Sequence, residues 1–592
     1  MATSPRGGLR RLGPLAVALA LTSAACSTVP TGGNVFAALG ERESDPLSQP
    51  YVRMLAATPK PKGTPEEIVN GFLSAAASFD DPLRGVARQY LTGEAQRTWS
   101  PFDAVTIYDD GKSSSDAPGD VQQAHVELKG AVLGTLDGDG HYVPSQTSGG
   151  SVLDKGFTLV KVSGEWRIST APSGLLLTND DFKRAYRSFD LYFAAYQSEG
   201  LVADQVRVPI NPSEGLAKSL VHRLLDGPTT PLRGAVDSAF GPNVDVNDVF
   251  VEGDTVVVDF TYGIVDSALV TANREALSAQ LYWTLKPLTE SRRIEVRVNG
   301  DQFPGGPFLI DPRDYDRYDP DLLPHAPKAL YLQQGKLHIL DKDNGNPVMS
   351  GVGAVQARQF SHLAVSNEQP AKVAALEKAG GVWVSGITPG SQWQRWIEGT
   401  RLTPPSWDRY GDVWSVSRQG ARKAQVLRAH DPTRQMPVSA PGLESTDVTA
   451  FRVARDGARV AVISDDGRGQ SVLVGSINRT RWAVQNLRTL VPAADGQEIT
   501  DIAWQDADTL LVLTTAKSDR ELTPWSVTQG IRIETPKAAT RVEAVTAAPK
   551  ANDDAPVLAG GPDGEILKWD LQKRTWITLV QNGAGAPVYP LG

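Results

Sequence analysis

Residues 451–467 read FRVARDGARVAVISDDG, and they set the architecture of the C-terminal half of the chain. Two apolar runs with strand-like alternation flank the turn Arg455-Asp456-Gly457, and a second turn, Asp465-Asp466-Gly467, ends the unit. Asp-Gly pairs are favoured in tight turns between antiparallel strands. The stretch therefore predicts a β-hairpin that continues into a further strand.

Similar strand-turn-strand units recur along the C-terminal region at starts 33 to 51 residues apart. The six starts lie near Ala329, His362, Ser406, Phe451, Ile502 and Ala547. A period in the forties is typical of the four-stranded blades of a β-propeller. We predict an all-β propeller of about six blades over residues 317–592, closed by the last strands around 565–579. A pair of β-sandwiches is the alternative, but it would require no self-similarity at a fixed period.

The N-terminus contains the only cysteine of the chain, Cys26, in the run LTSAAC at residues 21–26. Before it come three arginines and the apolar stretch 12–21, which is too short to span a membrane. The run resembles the lipobox of bacterial lipoproteins, although Ser23 stands where leucine is usual. The resemblance implies that residues 1–25 are a cleaved lipoprotein signal peptide and that the Cys26 thiol carries a diacylglycerol. An ordinary signal followed by an incidental cysteine is the alternative.

Two α+β domains are predicted between this segment and the propeller. Residues 26–60 are rich in Pro, Gly, Ser and Thr and are predicted to form a flexible tether. In residues 61–180, a helix start at Thr64-Pro65-Glu66-Glu67 precedes strand-like segments that end in a hairpin at Ser163-Gly164. Helices followed by a sheet in this order resemble the NTF2-like cone. Such cones serve as pockets or as plain spacers, and we favour a spacer here.

The second α+β unit covers residues 186–306, and its resemblance to a known family is more specific. It resembles a GerMN domain in the order and spacing of the segments VRVPINPSEGLAKSLVHRLLDGP (206–228), SAFGPNV (238–244), VFVEGDTVVVDFT (249–261), QLYWTLKPL (280–288) and IEVRVNG (294–300). That family has no established enzymatic residues. The resemblance therefore implies an envelope protein domain without a catalytic role.

No catalytic, metal-binding or cofactor-binding constellation can be identified in the sequence. The seven histidines show no metal-ligand spacing; they are His125, His141, His222, His325, His338, His362 and His430. The densest carboxylate cluster is segment 311–321, DPRDYDRYDPD. Calcium prefers several such oxygens, but Arg313 and Arg317 interrupt the cluster, so we interpret it as a charged interdomain linker. The net charge of −9 argues against nucleic acid and against general adhesion to anionic lipid.

Two alternatives concern the propeller. The tryptophans of the C-terminal region could stack on cell-wall sugars; they are Trp383, Trp393, Trp396, Trp407, Trp414, Trp482, Trp504, Trp525, Trp569 and Trp576. This glycan-binding hypothesis expects a row of exposed indoles on one face. A hydrolase site in the propeller channel is the other hypothesis, and it expects clustered carboxylates there.

The mature chain resembles one family, the actinobacterial lipoprotein LpqB family. The resemblance lies in the order of its parts: the lipobox, the cone, the GerMN unit and the propeller. The resemblance implies a non-enzymatic lipoprotein, anchored in the cytoplasmic membrane and exposed on its cell-wall side. It further implies binding to the extracellular domain of a sensor histidine kinase, MtrB, and modulation of MtrA-MtrB two-component signalling. Envelope homeostasis and division would be the processes affected.

Overall fold

The structure is a computed structural model that describes residues 55–591 with short gaps. The gaps are 80, 82, 102, 117–120, 146–150, 198–199, 211–214, 269–270, 291, 323–327, 342–343, 348–358, 421–422, 493, 518, 535–536 and 550–555. Cys26, the signal peptide and most of the tether lie outside the described residues. Among the described residues, no helix is both long and apolar enough to cross a membrane.

The N-terminal unit packs one helix across a six-stranded sheet. Its first helix begins where the sequence predicts, because Thr64 Oγ1 accepts from Glu67 N while Glu67 Oε2 accepts from Thr64 N at 2.9 Å. The buried face of this helix, with Ile68 and Phe72, lies against the sheet, whose strand order is β5-β4-β2-β1-β6 with β3 on β2. The elements are α1 (Pro65–Ala76), α2 (Gly85–Arg88), α3 (Gly93–Thr98), β1 (Val105–Ser115), β2 (Gln123–Leu136), β3 (Tyr142–Pro144), β4 (Ser151–Val162), β5 (Glu165–Thr170) and β6 (Leu175–Thr178).

The middle unit builds one core from two sheets and two helices, α5 and α7. One sheet has the order β8-β7-β9, and the other has β10-β11-β12, with β13 and β14 both paired to β12. Helix α4 (Asn179–Ala185) still packs in the core of the N-terminal unit. The elements of the middle unit are β7 (Tyr186–Ala195), β8 (Leu201–Pro209), α5 (Leu216–Leu225), β9 (Val236–Asp237), β10 (Val246–Glu252), β11 (Thr255–Phe260), α6 (Gly263–Ala268), α7 (Thr271–Thr289), β12 (Arg293–Val298), β13 (Asp301–Gln302) and β14 (Phe308–Ile310). Two 3-10 turns, Pro312–Asp314 and Asp316–Tyr318, lead towards the C-terminal unit.

The C-terminal unit is a propeller in which six successive antiparallel sheets occupy the described residues between 329 and 580. We number these sheets as blades 1 to 6. In blades 2 to 6 the first strands of neighbouring blades pack against one another, which shows that the first strand of each of these blades is its innermost strand. The strands are β15 (Ala329–Gln333), β16 (Lys336–Asp341) and β17 (Asn344–Pro347) in blade 1; β18 (Phe360–Val365), β19 (Lys372–Glu377), β20 (Val382–Gly386) and β21 (Gln394–Ile397) in blade 2; β22 (Ser406–Trp407), β23 (Val413–Arg418), β24 (Ala424–Ala429) and β25 (Gln435–Val438) in blade 3; β26 (Asp447–Val453), β27 (Arg459–Asp465), β28 (Gln470–Asn478) and β29 (Ala483–Val491) in blade 4; β30 (Gln497–Trp504), β31 (Thr509–Ala516), β32 (Asp519–Ser526), β33 (Ile531–Arg532) and β34 (Lys537–Ala538) in blade 5; and β35 (Ala544–Thr546), β36 (Leu558–Gly560), β37 (Ile566–Asp570) and β38 (Thr575–Val580) in blade 6.

The chain end closes the ring. Segment 584–590 pairs with the free edge of β15 through bridges at Leu330 and Gln333, and Leu591 N donates to Val365 O in blade 2 at 3.0 Å. Blade 1 thus receives its innermost strand from the C-terminus. The closing segment lies beyond the strands around 565–579 to which the sequence assigned this role, because those strands complete blade 6 instead.

The three units contact one another through polar groups at their borders. Arg207 of β8, in the middle unit, contacts both of the other units. Its backbone N donates to Gly140 O of the N-terminal unit at 2.8 Å, and its Nη2 donates to Gln529 Oε1 of blade 5 at 3.0 Å. Blade 4 also reaches the middle unit, because Arg459 donates to Ala203 O. The propeller residues in these contacts, Gln529 and Arg459, lie on the face that carries the turns after the innermost strands, which we call the near face; the opposite face is the open face.

Candidate binding site at the propeller axis

A cavity of about 350 Å³ lies at the axis of the ring, where the innermost strands begin on the open face. Side chains from different blades converge there: His362 from blade 2, Arg418 from blade 3, Arg452 from blade 4 and Asp501 from blade 5. We call this space the axial cavity. A concave space with a few convergent polar groups is the usual form of a binding site.

The same irregularity occurs at the rim of the axial cavity in three blades. The pairing of each innermost strand with the second strand skips one residue, which is Ser361 in blade 2, Thr449 in blade 4 and Thr500 in blade 5. Such β-bulges bend a strand and re-aim the neighbouring side chains, and they are frequent beside functional sites. The bulged residues Thr449 and Thr500 line the cavity, and Ser361 comes directly before the cavity-lining His362. Three blades thus share a β-bulge at the rim.

Arg452 and Asp501 form the deepest charged pair of the cavity. Arg452 Nη2 lies 3.7 Å from Asp501 Oδ1, and Arg452 Nη1 donates to Pro405 O at 3.3 Å. Both oxygens of Asp501 are already occupied, since they accept from Ile502 N and Val545 N, each at 2.9 Å. Burial raises the pKa of the Asp501 carboxyl, although Arg452 opposes the shift.

Arg418 is the second guanidinium at the cavity. Its Nε donates to Arg401 O at 2.9 Å, and its Nη1 lies 3.6 Å from Asp447 Oδ1. That separation exceeds a hydrogen bond, and Asp447 Oδ1 is buried without a hydrogen-bond partner among the described residues. The pair therefore leaves hydrogen-bonding capacity unused at the rim.

His362 lies on the opposite side of the rim. Its side chain remains exposed to solvent within the concave mouth, and its Nδ1 lies 3.0 Å from Ser361 Oγ. The surrounding protein lowers the pKa of the imidazole by desolvation, and the nearby charge of Arg452 lowers it further. A neutral imidazole is thus favoured where the cavity opens.

The linker covers the other end of the axis. Asp321 Oδ1 accepts from Ala507 N at 3.3 Å, which fixes the linker to the near face. Below it, the buried Arg455 of the predicted turn donates to the carbonyls of Trp504 at 2.6 Å, Gln505 at 3.2 Å and Ala547. Burial lowers the pKa of Arg455 to about 10. The axial cavity is therefore approached from the open face.

The carboxylate cluster 311–321 serves structural contacts. Asp311 Oδ1 accepts from Arg313 N at 3.1 Å, Asp311 lies 3.5 Å from Arg293, and Arg317 pairs with Glu275. Among the described residues, no group of three or more His, Cys, Asp or Glu side chains could hold a metal ion. The charged side chains of the segment thus bond within it and to the middle unit.

The tryptophans are core residues and links between blades. Trp407 Nε1 donates to Ala364 O of blade 2, and Trp504 Nε1 donates to Arg452 O of blade 4, each at 3.1 Å. Every tryptophan of the chain lies within the described residues, and none is among their exposed large side chains. Of the ten propeller tryptophans, five are buried and five are half-buried, so the described surface shows no row of fully exposed indoles.

The hydrolase hypothesis expects carboxylates that converge on the channel. The two at the axial cavity are Asp501, with both oxygens occupied by backbone N–H groups, and Glu543, which pairs with Arg520 at 3.4 Å. Each carboxylate is held by its own partners.

Comparison with protein families gives three matches along the chain. Residues 58–183 match "Lipoprotein LpqB, N-terminal domain", residues 190–303 match "Sporulation and spore germination" (Germane), and residues 335–590 match "Lipoprotein LpqB beta-propeller domain". The last match confirms the predicted propeller. The middle match confirms the predicted GerMN unit.

Whole-chain relatives carry the name Lipoprotein LpqB. The relative from Thermobifida fusca is 30% identical over 544 residues, which cover 84% of this chain and 86% of the relative. The relative from Streptomyces avermitilis is 28% identical and covers 99% of both chains. Among solved structures, TolB from Acinetobacter baumannii is similar over 44% of this chain and 66% of its own, with 12% identity and a TM-score of 0.35.

Proposed function

Because the chain belongs to the LpqB lipoprotein family, we propose that it is a non-enzymatic accessory lipoprotein that binds the extracellular domain of a sensor histidine kinase. The kinase is the MtrB-like partner implied by the family resemblance, and the consequence of binding is modulation of MtrA-MtrB signalling. The protein acts on the cell-wall side of the cytoplasmic membrane, held by lipid on Cys26.

The observation that carries this proposal is the orientation of the propeller relative to the other units. The near face packs on the middle unit through contacts such as Arg459 to Ala203 O and Gln485 Nε2 to Arg233 O at 2.6 Å. The open face, with the axial cavity, is directed away from these contacts. A body of three joined units that presents one free, concave face is suited to bind a neighbouring protein.

The anchor supports the proposal through concentration. A lipidated protein and a membrane-bound kinase share a thin layer at the same surface, so an interface of modest intrinsic affinity is occupied there.

The test combines binding with a cellular readout. The chain from residue 27 onward, which lacks Cys26, should bind the purified extracellular domain of the kinase in calorimetry. Cells without the protein should show an altered phosphorylation level of the matching response regulator, and the lipidated wild type should restore it. Absence of binding together with unchanged phosphorylation across envelope stresses would overturn the proposal.

A further inference from the structure

We propose that the axial cavity binds a carboxylate carried on an acidic segment that protrudes from the protein partner. This inference rests on the proposed function and names the site and the chemistry through which it operates. Four features carry it: unfilled donors, occupied acceptors, the repeated bulges and the size of the cavity.

The two arginines at the cavity, Arg418 and Arg452, have more N–H groups than hydrogen bonds within the described residues. Arg418 makes one side-chain hydrogen bond, from Nε, and Arg452 makes one, from Nη1, within the described residues. Each faces a carboxylate only beyond hydrogen-bond distance, at 3.6 Å and 3.7 Å. Since a guanidinium has five N–H groups, both retain donors for a ligand, and two guanidinium groups suit the planar oxygens of a carboxylate.

The acceptors at the cavity are mostly occupied. Asp501 accepts from two backbone N–H groups, and Glu543 pairs with Arg520. Asp447 is the exception, and it already lies beside Arg418. A ligand that supplies acceptors therefore meets unfilled N–H groups on Arg418 and Arg452, while Asp501 and Glu543 keep their protein partners.

The rim adds neutral donors where the ligand would enter. The bulged residues Thr449 and Thr500 line the cavity; the Thr449 hydroxyl can donate to a carboxylate, and the Thr500 hydroxyl can do so while it accepts from Thr515 Oγ1 at 3.0 Å. His362, favoured in the neutral form, adds no competing positive charge to the mouth but can still form a hydrogen bond. In three blades the innermost strand skips one residue at this level, and in blades 4 and 5 the skipped residue itself lines the cavity.

The dimensions of the cavity select a side chain or a chain end. A volume of about 350 Å³ lies at the small end of ligand pockets and cannot receive a folded element. The cavity lining lies where the innermost strands begin, and the buried Arg455 bridges carbonyls at the near-face end of the axis, so the ligand would enter from the open face. The occupant is thus an acidic residue on an extended segment, with the rest of the partner resting on the open face.

The first experiment measures the affinity of the chain from residue 27 onward for the kinase extracellular domain. Arg452→Gln should weaken binding at least tenfold, which corresponds to about 1.4 kcal/mol, and Arg452→Lys should restore part of it. Arg434→Gln is the matched control, because Arg434 is exposed in the turn between β24 and β25, on the near face and away from the axial cavity, and should bind as the wild type does.

A variant with the opposite expected sign separates this site from general damage to the fold. Glu543→Gln removes a negative charge at the rim and should tighten binding of an acidic segment, a result that misfolding cannot produce. Equal affinities of wild type, Arg452→Gln and Glu543→Gln would overturn the inference while leaving the proposed function intact.

The second experiment does not depend on the kinase. Acetylated triglutamate amide is titrated into the histidine-labelled protein, and the His362 resonance is followed by NMR, with triglutamine amide and inorganic phosphate as the other probes. A shift with triglutamate alone supports the inference even if the kinase domain does not bind. A shift of the same size with phosphate, or none with triglutamate, overturns it.

Discussion

Leu330 and Val588 exchange two backbone hydrogen bonds, each 2.8 Å long, although they come from the two ends of the propeller sequence. Val588 and Tyr589 are both buried. Val588 packs between blades 1 and 2, and Tyr589 packs between blades 1 and 6. The propeller is therefore held as a ring by residues that no local signal connects.

Removal of residues 584–592 should open the ring. The loss exposes the edge of β15, and an exposed edge strand pairs with other chains. We expect aggregation and rapid proteolysis from about residue 329 onward, measured by light scattering and limited digestion. Removal of Gly592 alone is the control and should change neither property; a protease-resistant monomer without residues 584–592 would contradict ring closure.

The same closure explains why the repeat spacing is irregular in the sequence. The first interval, from Ala329 to His362, is 33 residues and is the shortest. Ala329 lies in β15, which is the second strand of its blade, whereas His362 lies in the innermost strand β18. Periodicity compares only neighbouring segments of the chain, so it indicated the blades but could not show that blade 1 takes its first strand from the C-terminus.

The axial cavity was not predictable at the level of residues. The helix start at Thr64 and the turn at Arg455-Asp456-Gly457 depend on neighbouring residues, and the sequence predicted both. The bulges at Thr449 and Thr500 depend on the register between two strands, and a strand pattern read alone does not reveal that register. For the same reason, the period of the tryptophans could not distinguish indoles in blade cores from indoles on a surface.

Arg479 should be essential for the stability of the propeller. Its guanidinium and the Asp408 carboxylate are almost fully buried, 2.7 Å apart, and Asp412 lies 3.7 Å away. Arg479→Met leaves Asp408 without its buried counter-charge, and we expect the free energy of unfolding to fall by roughly 3–5 kcal/mol. Urea denaturation measures this, with the exposed Arg434→Met in blade 3 as the control; a loss below about 1 kcal/mol would show that the pair is dispensable.

His362 should make the stability of the propeller depend on pH. Its pKa is lowered in the folded state from the ordinary value of 6.5, so the unfolded chain binds more protons as pH falls below 6.5. Stability from this group is complete above 6.5 and declines from there down to the folded pKa, with Arg452 and Asp501 as the charged neighbours. NMR titration should place the His362 midpoint below 6.5, and His362→Gln should flatten the decline; a midpoint at or above 6.5 would contradict this.

Arg459 should couple the propeller to the middle unit. It pairs with the buried Asp456 at 2.6 Å and donates to Ala203 O, while its neighbour Ala458 packs into the core of the middle unit. Arg459→Met removes the hydrogen bond to Ala203 O, which links the two units, so we expect faster cleavage of the linker 311–321 in limited proteolysis and separate unfolding transitions in calorimetry. The control is Arg481→Met, at an exposed position in the same blade, which should show the cleavage rate and the unfolding transitions of the wild type. If Arg459→Met also matched the wild type, apolar contacts rather than Arg459 would hold the propeller on the middle unit.

Cys26 should be the single determinant of membrane attachment. Its thiol is the nucleophile that would accept diacylglycerol, and serine cannot replace it in that role. Each buried methylene of an acyl chain contributes about 0.8 kcal/mol, so loss of two or more chains removes stable anchoring. Cys26→Ser should therefore lose metabolic lipid label and leave the detergent phase, while Ser23→Leu, which restores the usual lipobox residue, should keep both.

Without the anchor the protein leaves the membrane layer, so the response regulator should be phosphorylated as in cells that lack the protein. A Cys26→Ser protein that still labels with lipid would refute the assignment of this residue.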